Sequence, residues 1–168
     1  MSPVIRPVCL PEAPNLAAFA EGCFREAFGD ALPAEALDRL CARVFEVSVM
    51  EGLVAQGVWL AEEGPVWAGY VALGNTPSPL RGLTEPCAEL ARLYVPRSHQ
   101  GSGIADLLMD RFLEEVRRSG ARSAWLQASA DSPRALAFYR RRGFVDFGAY
   151  LVTCEGIALP HRALGRNL

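Results

Sequence analysis

Apolar positions along the chain change rhythm several times, and each change marks an element. "PVIRPVCL" alternates well enough for a first strand. A helix capped by Asn15 follows to about Phe28, with Leu16, Phe19, Ala20, Cys23, Phe24 and Ala27 on one face. Pro33 opens a second helix whose stripe is Leu37, Leu40, Cys41, Val44, Phe45 and Val49. "GVWLAEEGPVWAGYVAL" reads as two strands joined by a turn at Glu63-Gly64-Pro65. "NTPSPLRGLTEP" is a loop, and "CAELARLYV" a strand ending at Pro96. A long helix then runs to about Arg118, burying Ala105, Leu108, Met109, Phe112, Leu113 and Val116, with Gly120 as its stop. "RSAWLQASA" is a strand. Ser132-Pro133 is an N-cap with proline at the first helical position, and that helix ends at Gly143. "FVDFGAYLVTC" is a further strand and "HRALGRNL" a polar tail.

The predicted order is β-α-α-β-β-β-α-β-α-β. Two late strand-to-helix handovers imply an α/β fold, a mixed sheet with helices on its faces. There is no internal repeat, low-complexity tract or linker, so one domain over residues 1–168 is expected. Trp59, Trp67 and Trp125 fall in strands and read as core.

Composition narrows the function. Half of the residues are apolar (51%) and 21% are charged, as in a soluble globule. A net charge of -2 offers no bulk attraction for nucleic acid or an anionic membrane. No lysine occurs, which removes a P-loop and a Schiff-base lysine. Cys9, Cys23, Cys41, Cys87 and Cys154 are scattered without zinc-ligand spacing, so no metal is expected, and buried reduced thiols fit a cytosolic protein. The N-terminus lacks the pattern of a signal peptide, and no apolar run approaches a membrane span. The expectation is a cytoplasmic, soluble protein.

One stretch is hard to explain as a connector. "RSHQGSGIA", residues 97–105, puts two glycines, a serine and a glutamine where a strand hands over to a helix. Glycine weakens helices, but it lets an anion approach the unpaired N–H groups of a helix start. Gly101, Ser102, Gly103, Ile104 and Ala105 present consecutive amides, and Gln100 and Ser102 add side-chain donors. A phosphate or pyrophosphate is one reading; a ligand-free glycine turn is the other. A dinucleotide fingerprint fails, because the required last glycine is Asp106. His99 reads as loop packing or as a neighbour of the phosphate. Arg140-Arg141-Arg142 suits a solvated helix C-terminus.

Gln100-Gly101-Ser102-Gly103-Ile104-Ala105 resembles the [QR]-x-x-G-x-[GA] signature of the GNAT family of acetyl-CoA-dependent N-acetyltransferases. A second segment, "SPRALAFYRRRGF" at 132–144, resembles the family's N-x-x-A-x-x-x-Y-x-x-x-G-F. The resemblance spans residues 57–147, and the two N-terminal helices suit the family's layout. It implies a mostly antiparallel sheet with splayed central strands, and acetyl-CoA as co-substrate. It places the coenzyme A pyrophosphate on the amides of Gln100, Gly101, Ser102, Gly103, Ile104 and Ala105. It places the pantetheine arm along Leu93, Tyr94 and Val95, with the Val95 N–H polarising the thioester carbonyl. Ser132 stands where the family often has asparagine, a position that touches the cofactor.

The same resemblance assigns Tyr139 as general acid toward the leaving thiolate, since a phenol stays protonated at neutral pH. Core packing beside Phe138 and Phe144 is the other reading of Tyr139. Glu89 is the base candidate: by period-2 counting it shares a face with Ala91, Leu93 and Val95. A solvated or salt-bridged glutamate is its alternative. "EGCFREAFGD", "AELARLYV" and "WLQASADSPRALAFYRRRGFVDFG" resemble the spermidine/spermine-type branch, implying a small-molecule amine acceptor, with Glu46, Glu51, Glu85 and Glu89 as an acidic mouth. Peptide or protein N-terminal acetylation, amino-sugar acetylation, and a non-catalytic acyl-CoA sensor are the competing functions. Such proteins are often homodimers.

Overall fold

The computed structural model describes residues 2–168. They fall into two compact units: the chain up to Gly74 with Arg92–Leu113, and Asn75–Ala91 with Glu114–Leu168.

In the first unit, β1 (Val4–Pro7) is followed by a short 3-10 turn and by α1 (Ala13–Phe28), α2 (Ala34–Val44) and α3 (Val47–Gln56). Then come β2 (Val58–Glu63) and β3 (Val66–Gly74), with Gly64 and Pro65 turning between them as expected. β1 pairs antiparallel with β2, and β2 with β3, with Leu60 opposite Tyr70. The C-terminal end of β4 (Cys87–Tyr94) lies next to β3. α1 buries Leu16, Ala20 and Cys23 from the predicted stripe, whereas Ala27 is exposed. It begins at Ala13 rather than after Asn15. Glu12 precedes it, and its carboxylate accepts the Cys9 N–H at 2.8 Å.

The helix expected from Pro33 to Val49 is two helices. Phe45 closes α2, and Glu46 is extended (φ -56°, ψ 139°) before α3 restarts. The break re-phases the apolar stripe, so Met50 is buried while Val49 is exposed. No glycine or proline marks it. Burial of Phe45, whose ring meets Phe24 at 5.5 Å, accompanies the change of direction.

The first turns of α4 (Ile104–Arg118) belong to this unit and its last turn to the second. Ile104, Leu108, Met109 and Phe112 are fully buried. Gly69 sits where a β-carbon would come within 3.0 Å of the Tyr94 carbonyl oxygen and 3.1 Å of Ile104 and Leu108. Its missing side chain lets β3, β4 and α4 meet closely.

The second unit holds the start of β4, β5 (Ser123–Ser129), α5 (Pro133–Arg141), β6 (Val145–Cys154) and β7 (Ile157–Asn167), in the order β4-β5-β7-β6. β4 pairs with β5 in parallel over Cys87–Glu89, whereas β5–β7 and β6–β7, like β1–β2 and β2–β3, are antiparallel. The fold is therefore mixed α/β, with seven strands in a mostly antiparallel arrangement flanked by helices.

The residues read as a polar tail are instead the second half of β7, which inserts between β5 and β6. Leu164 faces Leu126 on one side and Asp146 on the other, and both Ala163 and Leu164 are buried. Glu155 (φ 51°) and Gly156 (φ 76°) form the two-residue turn that enters it. Pro160 lies one residue beyond the stretch paired with β5, so its missing N–H breaks no bond there.

Candidate active site

In the first unit, β4 ends at Tyr94. Arg97–His99 form a 3-10 turn, and α4 starts at Ile104. Gly101 (φ 84°) and Gly103 (φ 88°) hold left-handed backbone that other L-residues adopt at a penalty. A β-carbon at either would meet nothing within 4 Å, so the space in front of the loop is open. Leu107 N–H bonds back to the Gly103 carbonyl at 3.2 Å. The amides of Ile104 and Ala105 stand at the very start of the helix, where no earlier turn supplies a carbonyl. Open space, unconstrained approach and helix-start amides together suit an anionic oxygen cluster.

Not every predicted donor faces outward. Ser102 turns both its N–H (3.3 Å) and its hydroxyl onto the His99 carbonyl. Gln100 Nε2 donates to the Val95 carbonyl at 3.2 Å, tying the loop to the strand end. His99 Nδ1 meets Ser98 Oγ at 2.8 Å, and its Nε2 lies 3.7 Å from Glu63 Oε2. His99 thus packs the loop. Arg97 is anchored through its own N–H to Glu26 at 2.8 Å.

Leu93, Tyr94 and Val95 lie in the same unit, half-buried. Tyr94 stacks on Tyr70, with ring centroids 5.8 Å apart. Burial pushes the Tyr94 phenol up to about 12, opposed by the charge of Arg92.

Glu89, Ser132 and Tyr139 belong to the second unit. Glu89 is buried opposite Trp125, and its Oε2 accepts the Thr76 N–H at 2.7 Å. Trp125 Nε1 donates to the Thr76 carbonyl at 3.1 Å, so two strand residues hold one loop residue by both its backbone groups. Tyr139 is buried on α5, edge-on to Phe138 (5.4 Å) and Phe144 (6.0 Å). Pro133 occupies the first turn of α5 as expected. The Ser132 side chain makes no capping hydrogen bond; its carbonyl accepts the Leu136 N–H instead. Of the acidic residues expected at a mouth, Glu46 and Glu51 belong to the first unit and Glu85 and Glu89 to the second. Glu85 accepts the Cys87 N–H at 3.0 Å. Among the described residues no His, Cys, Asp and Glu cluster could hold a metal ion.

Sequence reasoning missed Arg92. It stands on β4 two residues before Tyr94, over the Phe45 ring at 5.0 Å. A lone cation in an otherwise apolar strand end was the available signal.

The sequence profile of the acetyltransferase (GNAT) family matches residues 15–144. The chain belongs to that family. Among curated proteins it is 29% identical over 98 residues to the uncharacterized N-acetyltransferase YjgM of Escherichia coli, covering 58% of this chain and 56% of that one. It is 32% identical over 95 residues to N-acetyltransferase 8F1 of Mus musculus, covering 56% and 42%. The matched stretch thus spans about half the length of these relatives. Solved structures share the fold. A GCN5-related N-acetyltransferase from Rhodopseudomonas palustris superposes with a TM-score of 0.78 at 18% identity, covering 100% of this chain and 97% of that one. The PaiA N-acetyltransferase of Thermoplasma acidophilum, in complex with coenzyme A, gives 0.76 at 14% identity, with 100% of both chains covered. Salmonella typhimurium yncA, with its cofactor acetyl-CoA, gives 0.75 at 17%, covering 100% and 95%.

Proposed function

We propose that this protein is an N-acetyltransferase that moves an acetyl group from acetyl-CoA to a primary amine by direct attack. The observation that carries the reading is the pair of left-handed glycines, Gly101 and Gly103, opening onto free space at the start of α4 within a GNAT-family chain. The N–H groups of Gly101, Gly103, Ile104 and Ala105 hold the coenzyme's diphosphate, with Ser102 bracing the loop through the His99 carbonyl. Gln100 braces the loop, and Leu93, Tyr94 and Val95 line the acyl arm. Val95 N–H polarises the thioester carbonyl.

Glu89 is the group that takes the amine's proton, directly or through one water, because one of its carboxylate oxygens is engaged by Thr76 and the other makes no hydrogen bond among the described residues. As the new C–N bond forms and the C–S bond breaks, Tyr139 gives a proton to the departing sulfur. Ser132 sits beside this segment as a coenzyme contact. The acceptor is a small amine. A polyamine is the acceptor that sequence likeness favours, but Glu85 and Glu89 are both bound to backbone amides. The five free thiols fit a reducing, cytoplasmic compartment.

Calorimetry with acetyl-CoA, followed by thiol release over an amine panel, tests the reading. Binding with turnover supports it. Binding with no turnover on any amine leaves a sensor module, and no binding removes the reading altogether.

A further inference from the structure

Arg92 is half-buried in the first unit and forms no ion pair among the described residues. Its Nη1 donates to Met50 Sδ at 3.4 Å, a weak thioether acceptor, and its Nη2 to the Val44 carbonyl at 3.4 Å, long for an N–H···O bond. The face of Phe45 and the Tyr70 phenol add support. A guanidinium taken partly out of water this way lacks the oxyanion that usually compensates it.

Two phenols join it. Tyr70 is fully buried, and its hydroxyl lies toward the Arg92 guanidinium without a well-formed hydrogen bond. Tyr94 shares the Arg92 face of β4 by period-2 spacing and stacks on Tyr70. Burial drives both phenols upward in pKa while the Arg92 charge pulls them down, so both stay protonated donors at neutral pH. Phe24 closes the wall, 6.4 Å from Tyr94 and 5.5 Å from Phe45. Glu26, the nearby carboxylate felt by Cys23, accepts the Arg97 backbone N–H, and the Arg97 guanidinium donates to the Glu26 carbonyl. The cluster is rich in donors and poor in acceptors. Two oxygens bearing one negative charge would complete it, and a guanidinium holds a carboxylate through two parallel bonds.

We infer that the acceptor amine carries a carboxylate, as a free amino acid does, and that Arg92, with the hydroxyls of Tyr94 and Tyr70, grips it. This rests on the acyl-transfer reading above. Val95 directly follows the end of β4, three residues after Arg92, about 10 Å between Cα atoms for extended chain. An arginine side chain and a small amino acid bridge that span, bringing the amine toward the carbonyl that Val95 N–H would polarise. A polycationic acceptor would instead meet repulsion from Arg92.

The test measures thiol release at fixed acetyl-CoA for the standard amino acids, their carboxamides and their decarboxylated amines. Wild type, Arg92→Gln and Arg92→Lys are compared, with melting curves confirming that each is folded. The expected result is a preference of about 10- to 100-fold in kcat/KM for the best amino acid over its carboxamide. Arg92→Gln erases that preference through KM, and Arg92→Lys restores part of it. Equal rates for acid and amide, a preference for the decarboxylated amine, or a preference that survives Arg92→Gln would each overturn the inference while leaving acyl transfer standing. If no amine releases thiol, acyl transfer falls. Thermal shift then decides the carboxylate site alone: amino acids stabilise wild type and not Arg92→Gln, or the inference falls too.

Discussion

The Glu89 carboxylate and the Thr76 backbone N–H are joined at 2.7 Å, which ties a strand residue to the loop that precedes its own strand. The bond gives Glu89 two separable roles. Glu89→Gln keeps an acceptor oxygen for Thr76 and removes the base. It should lower kcat about 10²–10⁴-fold with little change in melting temperature. Glu89→Ala also strands the Thr76 amide and should lose about 1–3 kcal/mol of stability in denaturant titration. If Glu89→Gln lowers only stability, the residue is a loop brace and no base.

Tyr139→Phe isolates one hydroxyl inside a ring cluster that the substitution leaves in place. Stopped-flow or steady-state rates should fall about 10²-fold, at the low end for acid catalysis because a thiol is a weakly basic leaving group. Acetyl-CoA affinity, read by calorimetry, should hardly move. An unchanged rate returns Tyr139 to core packing.

Gly101→Ala and Gly103→Ala force a β-carbon into left-handed backbone but into empty space. The strain of about 1–2 kcal/mol should lower Tm by roughly 2–8 °C. Coenzyme affinity should fall further, about 10- to 100-fold, because the methyl occupies the anion's approach. A Kd that tracks stability alone would argue against the loop as the diphosphate site.

Gly69→Ala meets the Tyr94 carbonyl, Ile104 and Leu108 at 3.0–3.1 Å with no flexible gap to fill. Overpacking of about 1–3 kcal/mol is expected in chemical denaturation. A neutral result would show that α4 moves off the strands freely.

Asp146 gives the chain an acid-sensitive contact. Arg162 Nε at 3.0 Å holds its carboxyl below the ordinary value, helped by the Gly148 N–H at 2.9 Å and by Arg140 at 3.1 Å. A carboxyl depressed in the folded state adds stability above its unfolded pKa, near 3.8, and loses it as pH falls through the folded value. Asp146→Asn should therefore melt lower than wild type at pH 7, and the two curves should converge below about pH 4. Parallel curves across that range would remove Asp146 from the acid response.

Signals confined to a few neighbouring residues were legible in the amino-acid order. The periodic stripe of α4, Pro133 at a helix start, the turn at Gly64-Pro65, and two glycines before α4 all express backbone torsion or periodicity at short range. Together with two spaced motifs, they were enough to reach the mixed α/β fold and the family. What lay beyond them depends on partners distant in sequence. The kink at Glu46 follows a buried phenylalanine rather than a breaker residue. Residues 161–168 look polar in isolation, yet most of them form a strand because β5 and β6, both earlier in the chain, leave a place between them. Glu89 meets Thr76, and Arg92 has no carboxylate partner among the described residues, only because strands and helices converge in three dimensions. Local chemistry chose the elements, and long-range packing chose which polar groups were left with partners and which were left waiting for one.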